Sequence, residues 1–158
     1  MNAEVEAPKR EFLTCKLGEE TYAVDILQVQ EIREVNEVTR VPHVSPFVRG
    51  VINLRGAIVP IVDLGLMFGF PDPAKLAGAS AIVLDVDHRL VGLVVSSVSD
   101  VLQLADDEIA PTPELGTRAI AAAIAGIGTR REANGVPSQS VLLLDVDYVM
   151  RRVREERA

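Results

Sequence analysis

The chain repeats one pattern of apolar residues twice, and this repeat limits the folds that it can adopt. When Phe12–Ile32 is laid on Ala81–Val101, no gap is needed and nine pairs of positions are apolar in both copies. Each copy holds two alternating apolar runs around a turn, which is typical of a β-hairpin. After an insertion in the second copy, Ile61–Leu64 also resembles Leu143–Val146. The repeat therefore predicts two similar β units, each too small to bury its own surface well.

Breaks in the apolar pattern indicate how these units are arranged. Short strands separated by Gly- and Pro-containing turns favour two small barrels over a sandwich. The polar stretch 71–80 contains Pro71, Pro73 and Gly78, and we interpret it as the connector between the two halves. The polar stretch Thr129–Ser140 is predicted to be an inserted loop.

Three segments are predicted to be helical. The three-residue spacing from Ile26 to Ile32, with Asp25 as the cap, predicts one or two helical turns. Pro113–Ala125 is rich in alanine, which has the highest helix propensity. The tail that begins at Asp147 has the pattern of an amphipathic helix.

The composition argues against several classes of function. The formal net charge of −7 repels a phosphate backbone, so a nucleic-acid partner is not expected. Cys15 is the single cysteine, so no disulfide forms within the chain, which suits a reducing compartment. No apolar run reaches the roughly 18 residues that a membrane span needs, and the first eleven residues do not resemble a signal peptide. We expect a soluble, cytoplasmic protein.

Residues suited to catalysis or metal binding are few and scattered. His43 and His88 fall in predicted loops, far from any nucleophile motif. One cysteine and two separate histidines do not have the spacing of a metal site, and Asp85–His88 lacks the rest of a calcium loop. The acidic run Asp106–Glu108 is interpreted as a solvated surface. The sequence therefore predicts no catalytic residue, no metal, no cofactor and no enzymatic activity.

Three segments, Tyr22–Arg33, Val48–Leu64 and Val91–Leu102, go beyond generic β patterning. The second segment fits the signature GxxNLRGxxxPxxDL from Gly50 to Leu64. With these segments, the chain resembles the chemotaxis coupling proteins, or CheW family. The resemblance extends from about Glu11 to Met150, with the segments in the family's order.

This resemblance implies a mainly β fold made of two intertwined, five-stranded, SH3-like barrels with short helices and a C-terminal helix. Residues 1–10 lack periodicity, which predicts a disordered tail, and the resemblance implies a single CheW-like domain over 11–158, with halves near 11–75 and 80–150. It also implies a non-catalytic adaptor that joins the cytoplasmic tips of methyl-accepting chemoreceptors to the regulatory domain of the histidine kinase CheA. Such an adaptor would be cytoplasmic and recruited to membrane-associated receptor arrays.

The family's binding residues carry over by position. The receptor face that the resemblance implies comprises Val29, Glu31, Gly50, Arg55, Gly56, Val98 and Val101. The kinase face comprises Ala110, Glu114 and Leu115. Arg55 lies between two apolar runs, so it needs either a carboxylate partner or an exposed head group, and Glu31 is the candidate partner. A loop-ordering ion pair and a receptor contact are both open for Arg55, and the two are compatible.

This chain departs from the family at three places. Ala110 stands where a basic residue is common, and Leu115 where an aromatic residue is common. Ser96 and Ser97 stand where an acidic residue and a glycine are common, and the third departure is the long polar stretch predicted as a loop. Alternatives to a chemotaxis role are a coupling protein of surface motility or another receptor-like pathway, the adaptor half of a receiver fusion, and a small hydrolase or metal enzyme.

Overall fold

The computed structural model describes residues 9–112, 118–131 and 137–155, and its architecture is mainly β, as predicted. The strands are β1 (Lys9–Leu17), β2 (Glu20–Asp25), β3 (Val29–Glu34), β4 (Val48–Leu54), β5 (Ala57–Asp63), β6 (Ser80–Val86), β7 (Arg89–Val95), β8 (Ser97–Ala105), β9 (Ile109–Ala110), β10 (Ile124–Arg131) and β11 (Pro137–Leu144). The helices are α1 (Leu64–Met67), α2 (Arg118–Ala123) and α3 (Val146–Glu155).

The strands form two sheets whose orders are related by the sequence repeat. The six-stranded sheet has the order β8-β1-β2-β11-β10-β9, and the five-stranded sheet has the order β3-β6-β7-β5-β4. Replacing each strand of the second order by its repeat counterpart gives the first order, apart from the additional two-residue strand β9. The parallel pairs β5–β7 and β11–β2 are counterparts as well. The topology therefore agrees with an internal duplication.

Each sheet takes strands from both halves of the chain. Strand β3 leaves the β1–β2 hairpin and pairs with β6, while β8 leaves the β6–β7 hairpin and pairs with β1. The β3–β6 and β1–β8 pairs contain the same irregularity. The register shifts between Val29 and Glu31 on β3, and it shifts between Leu13 and Cys15 where β1 faces β8. The two halves are intertwined at the level of backbone hydrogen bonding.

The central hairpins are buried on both faces, which explains their nearly continuous apolar runs. On β1, Leu13 and Cys15 belong to a large core group, whereas Phe12 points to the other face and packs within the six-stranded sheet. On β6, Leu84 joins the same large group and Val83 packs within the five-stranded sheet. We call the large group the shared cluster; it draws on both sheets and on α3, and its members include Leu13, Tyr22, Val62, Leu84, Leu93 and Val149.

The helix predicted after Asp25 is mostly wrong. The Asp25 carboxylate does accept a hydrogen bond from Leu27 N at 3.0 Å, but it begins only a 3₁₀ turn, Ile26–Gln28. Val29–Glu34 is strand β3, because pairing with β6 satisfies its backbone groups. A three-residue apolar spacing is compatible with a turn followed by a strand, so the spacing alone was misleading.

The two other helices are present with different bounds. In the alanine-rich segment, helix α2 extends over Arg118–Ala123 and ends there because Ile124 already pairs with β11, while residues 113–117 lie outside the described residues. The C-terminal helix begins at Val146, and the carboxylate that accepts from Tyr148 N is that of Asp145, at 3.1 Å. Asp145 therefore takes the capping position predicted for Asp147.

The predicted inserted loop is largely a hairpin. Thr129–Arg131 and Pro137–Ser140 lie in β10 and β11, and the Thr129 and Ser140 hydroxyl groups are 3.2 Å apart across the strands. Polar residues sustain this pairing because the ladder needs backbone groups, not apolar side chains. Residues 132–136, and residues 1–8 of the predicted tail, lie outside the described residues; β1 begins at Lys9, within the segment predicted as tail.

A buried ion pair between Asp63 and Arg49 holds the connector, residues 71–80, against the first half of the chain. Asp63 is 2% exposed, and its carboxylate accepts from Arg49 Nη1 at 3.0 Å, from Ala74 N at 2.8 Å and from Leu66 N at 3.1 Å. Arg49 Nη1 also donates to Ala74 O at 2.8 Å. One carboxylate thus caps α1 and anchors the connector, with Arg49 compensating its charge.

Removal of this carboxylate should destabilise the protein strongly. Asp63→Ala leaves Arg49 without its buried partner, so we expect the free energy of unfolding in urea to fall by about 3 kcal/mol. The matched control is Asp145→Ala at the counterpart position, where one capping bond is lost and the expected decrease is about 1 kcal/mol. Equal decreases in the two variants would contradict the special role of the ion pair.

Candidate partner-binding site

The Asn-Leu-Arg-Gly segment forms the tight turn between β4 and β5. Arg55 and Gly56 have φ values of 50° and 89°, and positive φ at both central positions is the geometry of a type I′ hairpin turn. The Asn53 side-chain oxygen accepts a hydrogen bond from Gly56 N at 2.9 Å and closes the turn. The Arg55 side chain remains 66% exposed at the hairpin tip.

Arg55 pairs with Glu31, the partner expected from the sequence. Arg55 Nη2 lies 2.6 Å from Glu31 Oε2, and Arg33 Nη1 lies 3.4 Å from the other oxygen of the same carboxylate. Glu31 is on β3, at the opposite edge of the five-stranded sheet from β4. The edges approach because the chain after β3 returns to β4 through backbone hydrogen bonds between Thr39 and Val51.

The Glu31–Arg55 ion pair presents charged groups at the protein surface. Exposed pairs contribute about 0–1 kcal/mol to stability, since water solvates the separated groups well. A guanidinium group carries five N–H donors, so Arg55 keeps donors for a further acceptor. The arrangement is a preorganised polar contact at the surface of the protein.

The other predicted receptor residues have different surroundings. Gly50 is buried, and a side chain there would collide with the Thr39 carbonyl, so its contribution to binding would be through the shape of β4. Val29 and Val98 are counterparts in the repeat and both are half-buried against the shared cluster. Val101 lies on β8 of the other sheet and is 48% exposed.

Two exposed apolar residues were missed in the sequence. Ile32, the repeat counterpart of Val101, is 47% exposed, and Leu27 is 90% exposed in the 3₁₀ turn before β3. The alignment of Ile32 with Val101 was a signal that both lie on equivalent edge strands. No pattern in the sequence distinguished Leu27 from a buried residue of a short helix.

The acidic residue at the same position of the two copies has a different hydrogen-bonding partner in each copy. Asp100 is the counterpart of Glu31, and its Oδ1 accepts a hydrogen bond at 2.8 Å from the hydroxyl of Thr14, which is fully buried. The counterpart of Thr14 is Val83, which has no hydroxyl group, and Glu31 turns to Arg55 instead. Among the described residues, Asp100 forms no ion pair that corresponds to Glu31–Arg55.

The predicted kinase face is described only in part. Ala110 is exposed on β9 and pairs with Ile127, whereas Glu114 and Leu115 lie outside the described residues. The turn before β9 is held by Glu108, whose carboxylate accepts from Ala105 N at 2.9 Å and from Arg131 N at 3.1 Å. These backbone hydrogen bonds lower the pKa of Glu108.

The described residues contain no arrangement typical of catalysis. They include no group of three His, Cys, Asp or Glu residues that is able to hold a metal ion. His43 and His88 are exposed in turns. Cys15 is buried, and desolvation raises the pKa of its thiol to about 12, so a thiolate nucleophile is not available at neutral pH. None of the described helices is long and apolar enough to cross a membrane.

Comparison with known proteins identifies the family. Residues 11–154 match the family described as CheW-like domain. The chain belongs to the CheW-like family. The chemotaxis protein CheW of Klebsiella aerogenes is 39% identical over 141 residues, covering 89% of this chain and 81% of that relative. The chemotaxis protein CheW of Rhizobium meliloti is 40% identical over 108 residues, covering 68% and 70% of the two chains.

A solved structure supports the same assignment. The scaffolding protein TtCheW from Thermoanaerobacter tengcongensis superposes with a TM-score of 0.75 at 25% identity, over 92% of this chain and 90% of that chain. The resemblance noted in the sequence is thereby confirmed for the family and for the mainly β fold with two sheets. The assignment of individual receptor-face and kinase-face residues stays a prediction.

The energetic role of the Glu31–Arg55 pair can be measured in a double-mutant cycle. Because both groups are accessible to water, we expect Glu31→Ala and Arg55→Ala to show a coupling energy of at most about 1 kcal/mol in urea unfolding. A coupling energy well above that value would mean that the pair serves mainly to hold the hairpin in place.

Proposed function

We propose that this chain is a non-catalytic adaptor that couples chemoreceptor cytoplasmic tips to the regulatory domain of a CheA histidine kinase in chemotaxis arrays. Membership of the CheW-like family and the names of its relatives, chemotaxis and scaffolding proteins, support an adaptor role in chemotaxis over another sensory pathway. The structural observation that carries the proposal is the exposed Arg55, paired with Glu31 on a preformed hairpin tip. The adaptor would act in the cytoplasm, where those receptor tips lie.

On the receptor side, apolar residues lie on the same strand as Glu31. Val29 precedes Glu31 on β3, and Ile32 follows it as an exposed apolar residue. A receptor helix that lays its apolar face on these residues, with a carboxylate or carbonyl near Arg55, would use the helix-in-groove mode of recognition. Val98 and Val101, the counterparts on β8, would extend the apolar contact.

On the kinase side, Ala110 with Glu114 and Leu115 would form the contact. Ala110 lies on β9 at the edge of the six-stranded sheet, whereas Glu31 and Arg55 belong to the five-stranded sheet. Because β9 and β8 are opposite edges of the six-stranded sheet, and Glu31 and Arg55 belong to the other sheet, the adaptor would bind both partners at the same time. Its contribution would be the fixed geometry between them, without a chemical step.

Charge reversal at the hairpin tip tests the receptor face. Arg55→Glu places a carboxylate beside Glu31, so we expect affinity for a purified chemoreceptor cytoplasmic fragment to fall by about tenfold or more. Binding to the isolated CheA regulatory domain, measured in the same titration format, should stay within about twofold of the unaltered chain.

The control for this test is Lys75→Glu, which makes the same change of charge at an exposed position in the connector. It should leave both affinities unchanged. If Arg55→Glu retains full receptor affinity while its thermal unfolding matches that of the unaltered chain, Arg55 is not part of the receptor face.

A further inference from the structure

A second surface with the character of a binding site lies on the side of the five-stranded sheet that carries the shared cluster, at the end of β5 where that side is open to solvent. Two adjoining cavities, of about 660 and 330 Å³, share Ile58 and Pro60 of β5 and Val153 of α3. The larger cavity extends to Val41 and Val51, and the smaller one extends to the start of β7. Together they form a groove between the last turns of α3 and the loop that precedes β4, which we call the β5 groove.

The floor of the β5 groove is apolar and open to solvent. Ile58 is 62% exposed and Val41 is 39% exposed, which are large fractions for aliphatic side chains. Ile58, Pro60 and Val62 alternate along β5 and therefore point to the same side of the sheet. Val62, on this same side, is buried in the shared cluster, which includes Val149 of α3. The β5 groove thus continues the surface on which α3 already packs.

The rim of the groove is basic, in contrast to the acidic chain as a whole. The ionisable residues that line the two cavities are His43, His88, Arg89 and Arg154, and no described acidic side chain lines them. Within the described part of the chain, Arg89 and Arg154 form no ion pair. In a chain of net charge −7, this local positive field favours an acidic ligand.

The direction of the backbone hydrogen bonds in the groove floor determines which peptide conformation can bind there. Strand β5 pairs with β4 along its length and with β7 over Ile61–Asp63, and the backbone groups of a sheet point along the sheet and not out of its face. An extended peptide lying on this face would find no hydrogen-bonding partners for its own backbone. A helix satisfies its backbone internally and offers a continuous apolar stripe, as α3 does beside the groove.

We propose that the β5 groove binds an amphipathic helix of a partner protein whose apolar face is flanked by acidic side chains. Apolar residues of that helix would cover Ile58 and Pro60, while its carboxylates would pair with Arg89 and Arg154. This site is distinct from the Glu31–Arg55 pair and from the β9 edge, and it goes beyond the proposed coupling of receptor and kinase.

Designed peptides test the proposal directly. The probe is a fluorescein-labelled helical peptide of about five turns, with leucine at one face and glutamate on both flanks. A second peptide carries lysine in place of glutamate. Fluorescence anisotropy should show that the glutamate peptide binds, that binding weakens with added salt, and that the lysine peptide binds at least about tenfold more weakly.

Variants locate the binding site. Ile58→Ser and the double variant Arg89→Glu/Arg154→Glu should each weaken the glutamate peptide by about tenfold or more, and the double variant should now prefer the lysine peptide. Lys16→Glu, a charge reversal on β1 of the other sheet, is the control and should have no effect. Circular dichroism establishes that each variant is folded, and receptor-fragment binding should be unchanged in all of them.

Three results would overturn the proposal. The first is equal binding of the two peptides to the unaltered chain. The second is glutamate-peptide binding that persists in folded Ile58→Ser and in the folded arginine double variant. The third is self-association of the chain in sedimentation that Ile58→Ser abolishes while neither peptide binds, because the occupant would then be a second copy. A loss of receptor-fragment binding in Arg55→Glu bears only on the coupling function.

Discussion

The structure depends on the interleaving of strands from its two halves, because the five-stranded sheet combines β3, β4 and β5 with β6 and β7, and the six-stranded sheet combines β1 and β2 with β8–β11. Strand β3 completes the sheet built on the β6–β7 hairpin, and β8 completes the sheet built on the β1–β2 hairpin. Neither half contains all the strands of one sheet, and the shared cluster draws on both. The interwoven core holds the β4–β5 hairpin tip and the β9 edge on one body, which is what a coupling protein needs if it is to fix two partners relative to each other.

Divergence between the two copies creates the polar site on a nearly symmetric scaffold. Strands β3 and β8 carry an acidic residue at the same position of the repeat, Glu31 on β3 and Asp100 on β8. The buried hydroxyl of Thr14 holds Asp100, whereas Val83 offers no donor to Glu31, which pairs with Arg55 instead. The duplication accounts for the two related sheets, and the differences between the copies account for the ion pair at the β4–β5 hairpin tip.

Much of this architecture was predictable because it is local. Alternation and turn residues identified the hairpins, and the repeat predicted paired β units. The resemblance led to Arg55 and its partner. Contacts between distant segments were not predictable: the apolar spacing around β3 predicts helical turns, and the strand β6 with which β3 pairs lies about fifty residues away. The polar ends of β10 and β11 carry no apolar signal, and the anchoring of Ala74 by Asp63 needs three-dimensional proximity that no spacing reveals.

The central claim is that this chain joins receptor and kinase, and kinase autophosphorylation in a reconstituted mixture measures this most directly. The chain, a chemoreceptor cytoplasmic fragment and CheA are combined, and each component is omitted in turn. The account predicts that the rate rises well above that of CheA alone only when all three are present. Full activation without this chain, or no activation although the chain binds each partner separately, would contradict the coupling role.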